Sequence, residues 1–387
     1  MNSSALKTLM LALIGGWGCT WASQAQTFTN GNGALPATYN SGGCVGFADL
    51  DGDSYDDLII LDQSRVLHTL YQAPNGTFTD FNLGNVSGSS QWGMCVGDFD
   101  NDGHKDVFSG GAYDGVHLMH ITAPGQGNLQ SLGNGSMFMQ ACNMADIDQD
   151  GVLDVFACHD DAVSRLWKGD EAGALNNNQA LMPLTSYDTG GYSNTDHSGN
   201  YGSVWTDFDR DGDIDLYIAK CRQFVSDPQD PRRVNQLWVN DGDGNYTEEA
   251  SERGLVFFEQ SWTADFADID NDGDFDCLVT NHSATLLLLE NDGTGNFTDI
   301  TAGSGLEVTG FFLQAKLEDF DNDGFVDLVY SGGAHAYFKN NGDQTFSNVP
   351  GMFPYGDTMH SFATGDVNRD GPVSYTHLRA HETFAHL

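Results

Sequence analysis

Positive charge is scarce in this chain: 15 Lys and Arg stand against 55 Asp and Glu, for a formal net charge of -40. So acidic a surface repels phosphate backbones, which excludes nucleic acid as a partner. The seven cysteines show no paired CxxC spacing, which argues against zinc or thiol redox chemistry. Beyond the first few dozen residues no apolar run approaches the roughly 20 residues that a membrane-spanning helix requires. No Gly-x-Ser-x-Gly, HExxH or phosphate-loop motif occurs, so hydrolase, zincin and kinase readings lack support.

What the chain has in quantity is aspartate in a fixed pattern. Asp207-Phe208-Asp209-Arg210-Asp211-Gly212-Asp213-Ile214-Asp215 recurs, with small changes, from Asp49, Asp98, Asp146, Asp268, Asp319 and Asp366. Acids at positions 1, 3, 5 and 9 converge if the chain turns tightly, and glycine at position 6 tolerates the positive φ of such a turn. Carboxylates so close need a hard cation, and Ca2+ takes 6 to 8 oxygen ligands in flexible geometry. The expected ligands are Asp49, Asp51, Asp53 and Asp57; Asp98, Asp100, Asp102 and Asp106; Asp146, Asp148, Asp150 and Asp154; Asp207, Asp209, Asp211 and Asp215; Asp268, Asp270, Asp272 and Asp276; and Asp319, Asp321, Asp323 and Asp327. That makes about six sites. The first copy has Ser54 where the others have glycine, which adds turn strain; the seventh has Ser374 at position 9 and is expected not to bind tightly.

Position 2 is apolar in every copy, as where a strand feeds a core, and an apolar residue follows position 9 in the first six. Each acidic loop therefore joins two strands. Recurrence every 47 to 61 residues, with strands between, points to propeller blades or a solenoid. Within a period we read strand A (Met94 to Asp98), the loop, strand B (Asp106 to Ser109), strand C (Val116 to His120) and a strand D clearest at Gly76 to Asp80, Gly244 to Glu248, Asn296 to Asp299 and Gln344 to Ser347. Asp-Gly and Asn-Gly clusters at Asp241 to Asn245, Asn291 to Gly295 and Asn341 to Asp343 read as C-to-D hairpin turns.

The run Tyr201-Gly202-Ser203-Val204-Trp205-Thr206 into its acidic loop, followed by Leu237-Trp238-Val239-Asn240-Asp241-Gly242, resembles the FG-GAP/VCBS repeat family. Its blades are known from the integrin α-subunit headpiece and from secreted bacterial proteins. The resemblance implies an all-β fold, a seven-bladed β-propeller with calcium loops between strands A and B; the last blade is expected to be incomplete. It says little about function, because propellers host many chemistries.

Residues 1–25 carry Lys7, an apolar run from Leu9 to Trp17 and a small-x-small end at Ser23-Gln24-Ala25, the pattern of a secretory signal peptide. The product is thus expected to be secreted or held at the cell surface. The propeller is placed at 26–371, with the strand-like Gln26 to Asn30 closing the last blade from outside. Residues 372–387 have no strand B pattern and a foreign texture, so that blade is expected to keep strand A alone. The cysteines default to free core thiols. Cys142 and Cys158, four residues before and four after their loop, are the exception to be tested, since on adjacent strands they could face each other and bridge.

Blade 4 is flanked by two insertions, Thr185 to Asn200 and Arg222 to Asn235, which topology places at the end opposite the acidic loops. They bring together Tyr192, His197 and Tyr201 with Lys220, Arg222, Arg232 and Arg233. This local reversal of sign suits an anionic or hydroxyl-rich glycan, with tyrosines stacking and arginines pairing bidentately; alternatively the arginines pair with Asp227 and Asp230 to hold a long loop. His159, His282 and His335 belong to the same face as polar lining residues. Three function classes follow. The first is a non-enzymatic extracellular binding or adhesion module for a glycan or protein, which we favour. The second is a polysaccharide lyase using Tyr or His as base and Arg as carboxylate clamp. The third is a structural repeat of a larger surface protein.

Overall fold

The computed structural model describes residues 32–40, 44–133, 135–184, 198–353, 361–365 and the backbone of 374–377. The leader, the segment Gln26 to Asn30, the seventh acidic loop, Tyr192 and His197 all lie outside the described residues.

Six four-stranded antiparallel sheets and one two-stranded sheet follow one another along the chain, each with its strands side by side in chain order. The first strands are Val45–Ala48, Gln91–Gly97, Met139–Ala145, Asn200–Thr206, Ser261–Ala267, Phe312–Glu318 and Phe362–Gly365. In the six complete sheets the second strand begins at the ninth residue of the motif: Asp57–Asp62, Asp106–Gly111, Asp154–His159, Asp215–Lys220, Asp276–Asn281 and Asp327–Gly332. The register repeats as well. Ala48 faces Asp57, Gly97 faces Asp106, Ala145 faces Asp154, Thr206 faces Asp215, Ala267 faces Asp276 and Glu318 faces Asp327. Each acidic stretch is therefore one hairpin loop closed by the same strand pair.

The tail departs from expectation. Ser374–His377 pairs with Phe362–Gly365, and Gly365 faces Ser374 in the register used by the other six sheets. The last sheet therefore has a second strand, drawn from residues read as foreign. Strand pairing needs main-chain N–H and C=O groups and tolerates most side chains, and Tyr375 and Thr376 are good strand formers.

First strands of sheets 1 to 6 lie next to one another in turn, the Phe362 N–H of sheet 7 donates to Gln314 Oε1 of sheet 6 (3.0 Å), and the first strand of sheet 7 lies against that of sheet 1. Together they line a common central cavity of about 350 Å³, with Trp92, Asn143, Tyr201, Trp262, Gln314 and Phe362 among its walls. Between sheets the apolar residues pack into separate layers, such as Phe108, Cys142 and Trp167 between sheets 2 and 3 and Tyr217, Leu237 and Val279 between sheets 4 and 5. The second motif residue plugs these layers: Leu50, Phe99, Ile147, Phe208, Ile269 and Phe320 are all buried.

Cys142 and Cys158 do not face each other. Cys142 pairs across the strands with Ala157, so Cys158, one residue further, points to the opposite side of the sheet. They enter different apolar layers, Cys142 beside Cys95 and Cys158 beside Leu216. All six cysteines among the described residues are buried, and none of them forms a disulfide.

Candidate functional site: the acidic hairpin loops and the opposite end

The loops hold their shape through their own carboxylates. In all six, the N–H of position 6 donates to Oδ2 of the first aspartate, at 2.8 to 3.2 Å. The N–H of position 7 donates to Oδ1 of the fifth residue. Position 6 has positive φ throughout, including Ser54 at 69°, so the serine takes the conformation that glycine makes easy. Position 4 also has positive φ, at Gly52, Asn101, Gln149, Arg210, Asn271 and Asn322, which the sequence reading missed.

Position 9 does something else. Its buried carboxylate caps the main chain: Asp154 accepts N–H bonds from Ile147 (3.0 Å) and Gly169 (2.9 Å), and Asp276 from Ile269 (3.1 Å) and Asn291 (2.9 Å). Asp57 and Asp106 bind the corresponding groups. Asp327 accepts from Asn340 N–H and the Tyr337 hydroxyl, both at 2.8 Å. Burial pushes the carboxyls of Asp57 and Asp276 up to about 7, and that of Asp215 to about 8, against partial compensation from the N–H bonds.

Carboxylate oxygens come within 4.8 Å of one another in Asp49, Asp51 and Asp53, in Asp98, Asp100 and Asp102, in Asp146, Asp148 and Asp154, and in Asp207, Asp209 and Asp215. His120 joins Asp100 and Asp106 in loop 2, its Nδ1 3.3 Å from Asp106. Loop 4 is the least satisfied. Oδ1 of Asp207, Oδ1 of Asp209 and Oδ2 of Asp215 are buried without any hydrogen-bond donor, and Asp215 is wholly buried. Loop 5 leaves Asp268 Oδ1 and Asp274 Oδ1 in the same condition, and loop 6 leaves the single oxygen Asp321 Oδ1. Converging carboxylate oxygens without donors are what a hard divalent cation coordinates, so the residues fit one.

Neighbouring sheets are clasped at this end. Asn291 Nδ2 donates to the carbonyl of Phe208 (2.9 Å), and Asn340 Nδ2 to that of Ile269 (2.8 Å). In the sheet before them the Tyr246 hydroxyl donates to the carbonyl of Ile147 (3.0 Å). Loops also touch directly, Gln149 Nε2 with Asp213 Oδ1 (3.0 Å) and Asn271 Nδ2 with the Gly324 carbonyl (2.9 Å). The Asp-Gly clusters are turns, with positive φ at Gly242, Gly244, Gly293, Gly295 and Gly342.

At the opposite end the basic residues of sheet 4 are matched from within. Arg222 pairs with Asp160 (2.8 Å) and Asp161 (2.7 Å). Arg232 makes a two-pronged contact with Asp230, at 2.8 and 2.7 Å, which holds that carboxyl down at about 2. Arg233 donates to the carbonyls of Val225 (3.1 Å) and Phe258 (2.8 Å). Asp227 instead accepts the N–H of Gln229. Lys220 is fully buried. Tyr201 is buried beside Asp160, and burial raises its phenol well above the usual range, opposite to what a general base needs. His282 stacks on Trp262 with centroids 5.3 Å apart, and His159 accepts the N–H of Asp161; burial lowers the pKa of both. His335 packs edge-on against Phe353. Three exposed aromatic side chains were not anticipated: Phe275 in acidic loop 5 and, at this opposite end, Phe224, completely exposed at φ 63°, and Tyr113, 54% exposed.

Known proteins place these features. The chain is similar to cartilage acidic protein 1 of Xenopus tropicalis, 24% identical over 287 residues, covering 67% of this chain and 43% of the relative, so it spans less than half of that protein's length. Among solved structures it resembles the BBS1N chain of a lead-soaked complex with ARL6DN (TM-score 0.53, 11% identity, 92% of this chain and 98% of that one). It also resembles YCF48 bound to D1 peptide (TM-score 0.50, 12% identity, 85% and 86%). At such identities the likeness is one of fold. The FG-GAP-like repeat model matches residues 49–109, 98–157, 207–279, 268–330 and 319–373, and with its repeating sheets and loops the chain belongs to the FG-GAP-like repeat family, on a β-propeller fold.

Proposed function

We propose that the protein is a secreted or cell-surface, calcium-stabilised propeller of seven blades whose work is to bind an extracellular protein ligand, with the acidic loops structural and the opposite end recognising the partner. Calcium is supported by the donorless buried oxygens of loop 4, and seven blades by the seven first strands around one cavity. Export is supported by the pattern of residues 1–25.

The observation that carries the binding role is Phe224. The charged groups of its segment hold the segment itself, Arg232 on Asp230 and Arg233 on two carbonyls, while the aromatic ring is turned fully to water. A rigid loop presenting an unburied aromatic is how a scaffold supplies a contact anchor. The similar BBS1N chain is in complex with ARL6DN and YCF48 with a peptide, which favours a protein ligand here. A glycan remains the second reading because of Tyr192 and His197.

The test presents the leader-free chain, in millimolar calcium, to arrays of extracellular proteins and of glycans. Phe224→Ser should weaken capture of a protein ligand at least tenfold, about 1.4 kcal/mol. Binding that survives Phe224→Ser and Tyr113→Ala unchanged would overturn this placement, and binding to glycans alone would favour the second reading.

A further inference from the structure

The residue just before the main-chain N–H that caps position 9 differs from sheet to sheet. It is Tyr71, His120, Lys168, Val239, Glu290 and Lys339, followed respectively by the capping residues Gln72, Ile121, Gly169, Asn240, Asn291 and Asn340. In loop 3 the Lys168 ammonium contacts Asp148 and, at 2.6 Å, Asp150. In loop 6 Lys339 contacts Asp321 and, at 2.6 Å, Asp323. In both loops position 9 is already committed, Asp154 to two N–H groups and Asp327 to an N–H and a hydroxyl.

Loop 4 is the reverse. An uncharged Val239 stands at that position, Arg253 reaches Asp209 alone and at 3.6 Å rather than bridging two carboxylates, and Asp215 Oδ2 is buried with no donor. Loop 5 has Asp274 as a fifth carboxylate, and Glu290 at the lysine position is tied to Asp270 through Gln344 Nε2, at 2.6 and 2.8 Å.

We infer that the six loops are of two kinds: Lys168 and Lys339 are resident counter-ions that neutralise loops 3 and 6 without a metal, while loop 4 is built to take the divalent ion first. An ammonium within contact of two ligand carboxylates both occupies their lone pairs and repels an incoming cation. A loop with a tethered cation therefore keeps its shape in calcium-free water and gains less from calcium. The inference rests on the calcium reading above for its binding arm, and on the lysines alone for its calcium-free arm.

The experiment uses the full chain, native and with Lys168→Gln plus Lys339→Gln, in equilibrium dialysis against calcium and in thermal melts with excess chelator. The native chain should show two sites about tenfold weaker than the rest, an estimate from one opposing charge at short range, and the double variant should bring those two into the stronger class. The double variant should also melt lower than the native chain in chelator, and Lys168→Arg plus Lys339→Arg should restore the native melt. Identical isotherms would overturn the inference. If the native chain binds no calcium, the calcium reading fails by itself, and an unchanged melt of the double variant in chelator then overturns the assignment of the lysines.

Discussion

The two ends of this propeller are built by opposite rules. At one end six hairpins share a register and a hydrogen-bond pattern, with the charged groups turned on one another. At the other, connections vary in length, and sheet 4 carries a long segment whose arginines satisfy carboxylates and carbonyls nearby. Repetition marks the end that holds the fold together. Irregularity marks the end free to specialise, since connections tolerate change where strands do not.

The most forceful way to break this comparison is to remove divalent ions. A site at a hundredfold excess of calcium over its Kd adds about 2.7 kcal/mol to the native state alone. Chelation should therefore lower the melting temperature by many degrees and magnesium should restore it poorly; a melt unmoved by chelator would make the loops self-sufficient. Single carboxylates come next. Asp154→Ala leaves the N–H groups of Ile147 and Gly169 buried and unpaired, at about 1–3 kcal/mol for each group left so, with or without calcium. Asp215→Asn should change sign with the medium, stabilising in chelator by removing a buried charge and destabilising in calcium. Equal effects in both media would end the distinction between aspartates saturated by main-chain donors and those with an oxygen left without one.

Acidity sharpens the same contrast. Asp57, Asp215 and Asp276 have folded values of about 7, 8 and 7, above the unfolded carboxylate. Their charged forms are disfavoured by folding, so their contribution to stability is greatest below the unfolded carboxylate value, falls as pH rises from there to the folded values, and levels off above them. His117, His159 and His282, lowered by burial, act oppositely as pH drops through their ordinary 6.5. Between pH 8 and 6.5 the carboxyls dominate. Calcium-free protein should become more stable on going down through that window, and calcium should flatten the profile. Smaller still, Gly212→Ala at φ 97° should cost about 1–2 kcal/mol and Ser54→Gly at φ 69° should stabilise by less. Phe224→Ser should leave stability within about 0.5 kcal/mol while changing binding.

Much of the periodic end was legible, because it is written in short-range pattern. Position 2 reads apolar and is buried, position 6 reads glycine and has positive φ, and the six complete copies open on paired strands. What sequence spacing cannot express is which partner a carboxylate meets. Asp154 and Asp215 look alike in the motif, yet one is saturated by main-chain donors and the other is not. Lys168 lies 20 residues from Asp148, so its contact needs the fold to be seen. A signal was available, since it immediately precedes a turn in the position that Lys339 takes. The sign reversal around Arg222 misled for the same reason: Asp160 and Asp161, 62 and 61 residues away in sequence, already answer it. Equal spacing on either side of the acidic loop likewise suggested a Cys142–Cys158 bridge that a one-place offset forbids.

The side chains of Tyr246, Asn291 and Asn340 all reach backward, each grasping a carbonyl in the sheet made before its own. During synthesis from the N-terminus every such grip finds its anchor already emerged, so growth of the chain and growth of the toroid run in the same direction. An order of assembly is thereby inscribed in which neighbour does the holding.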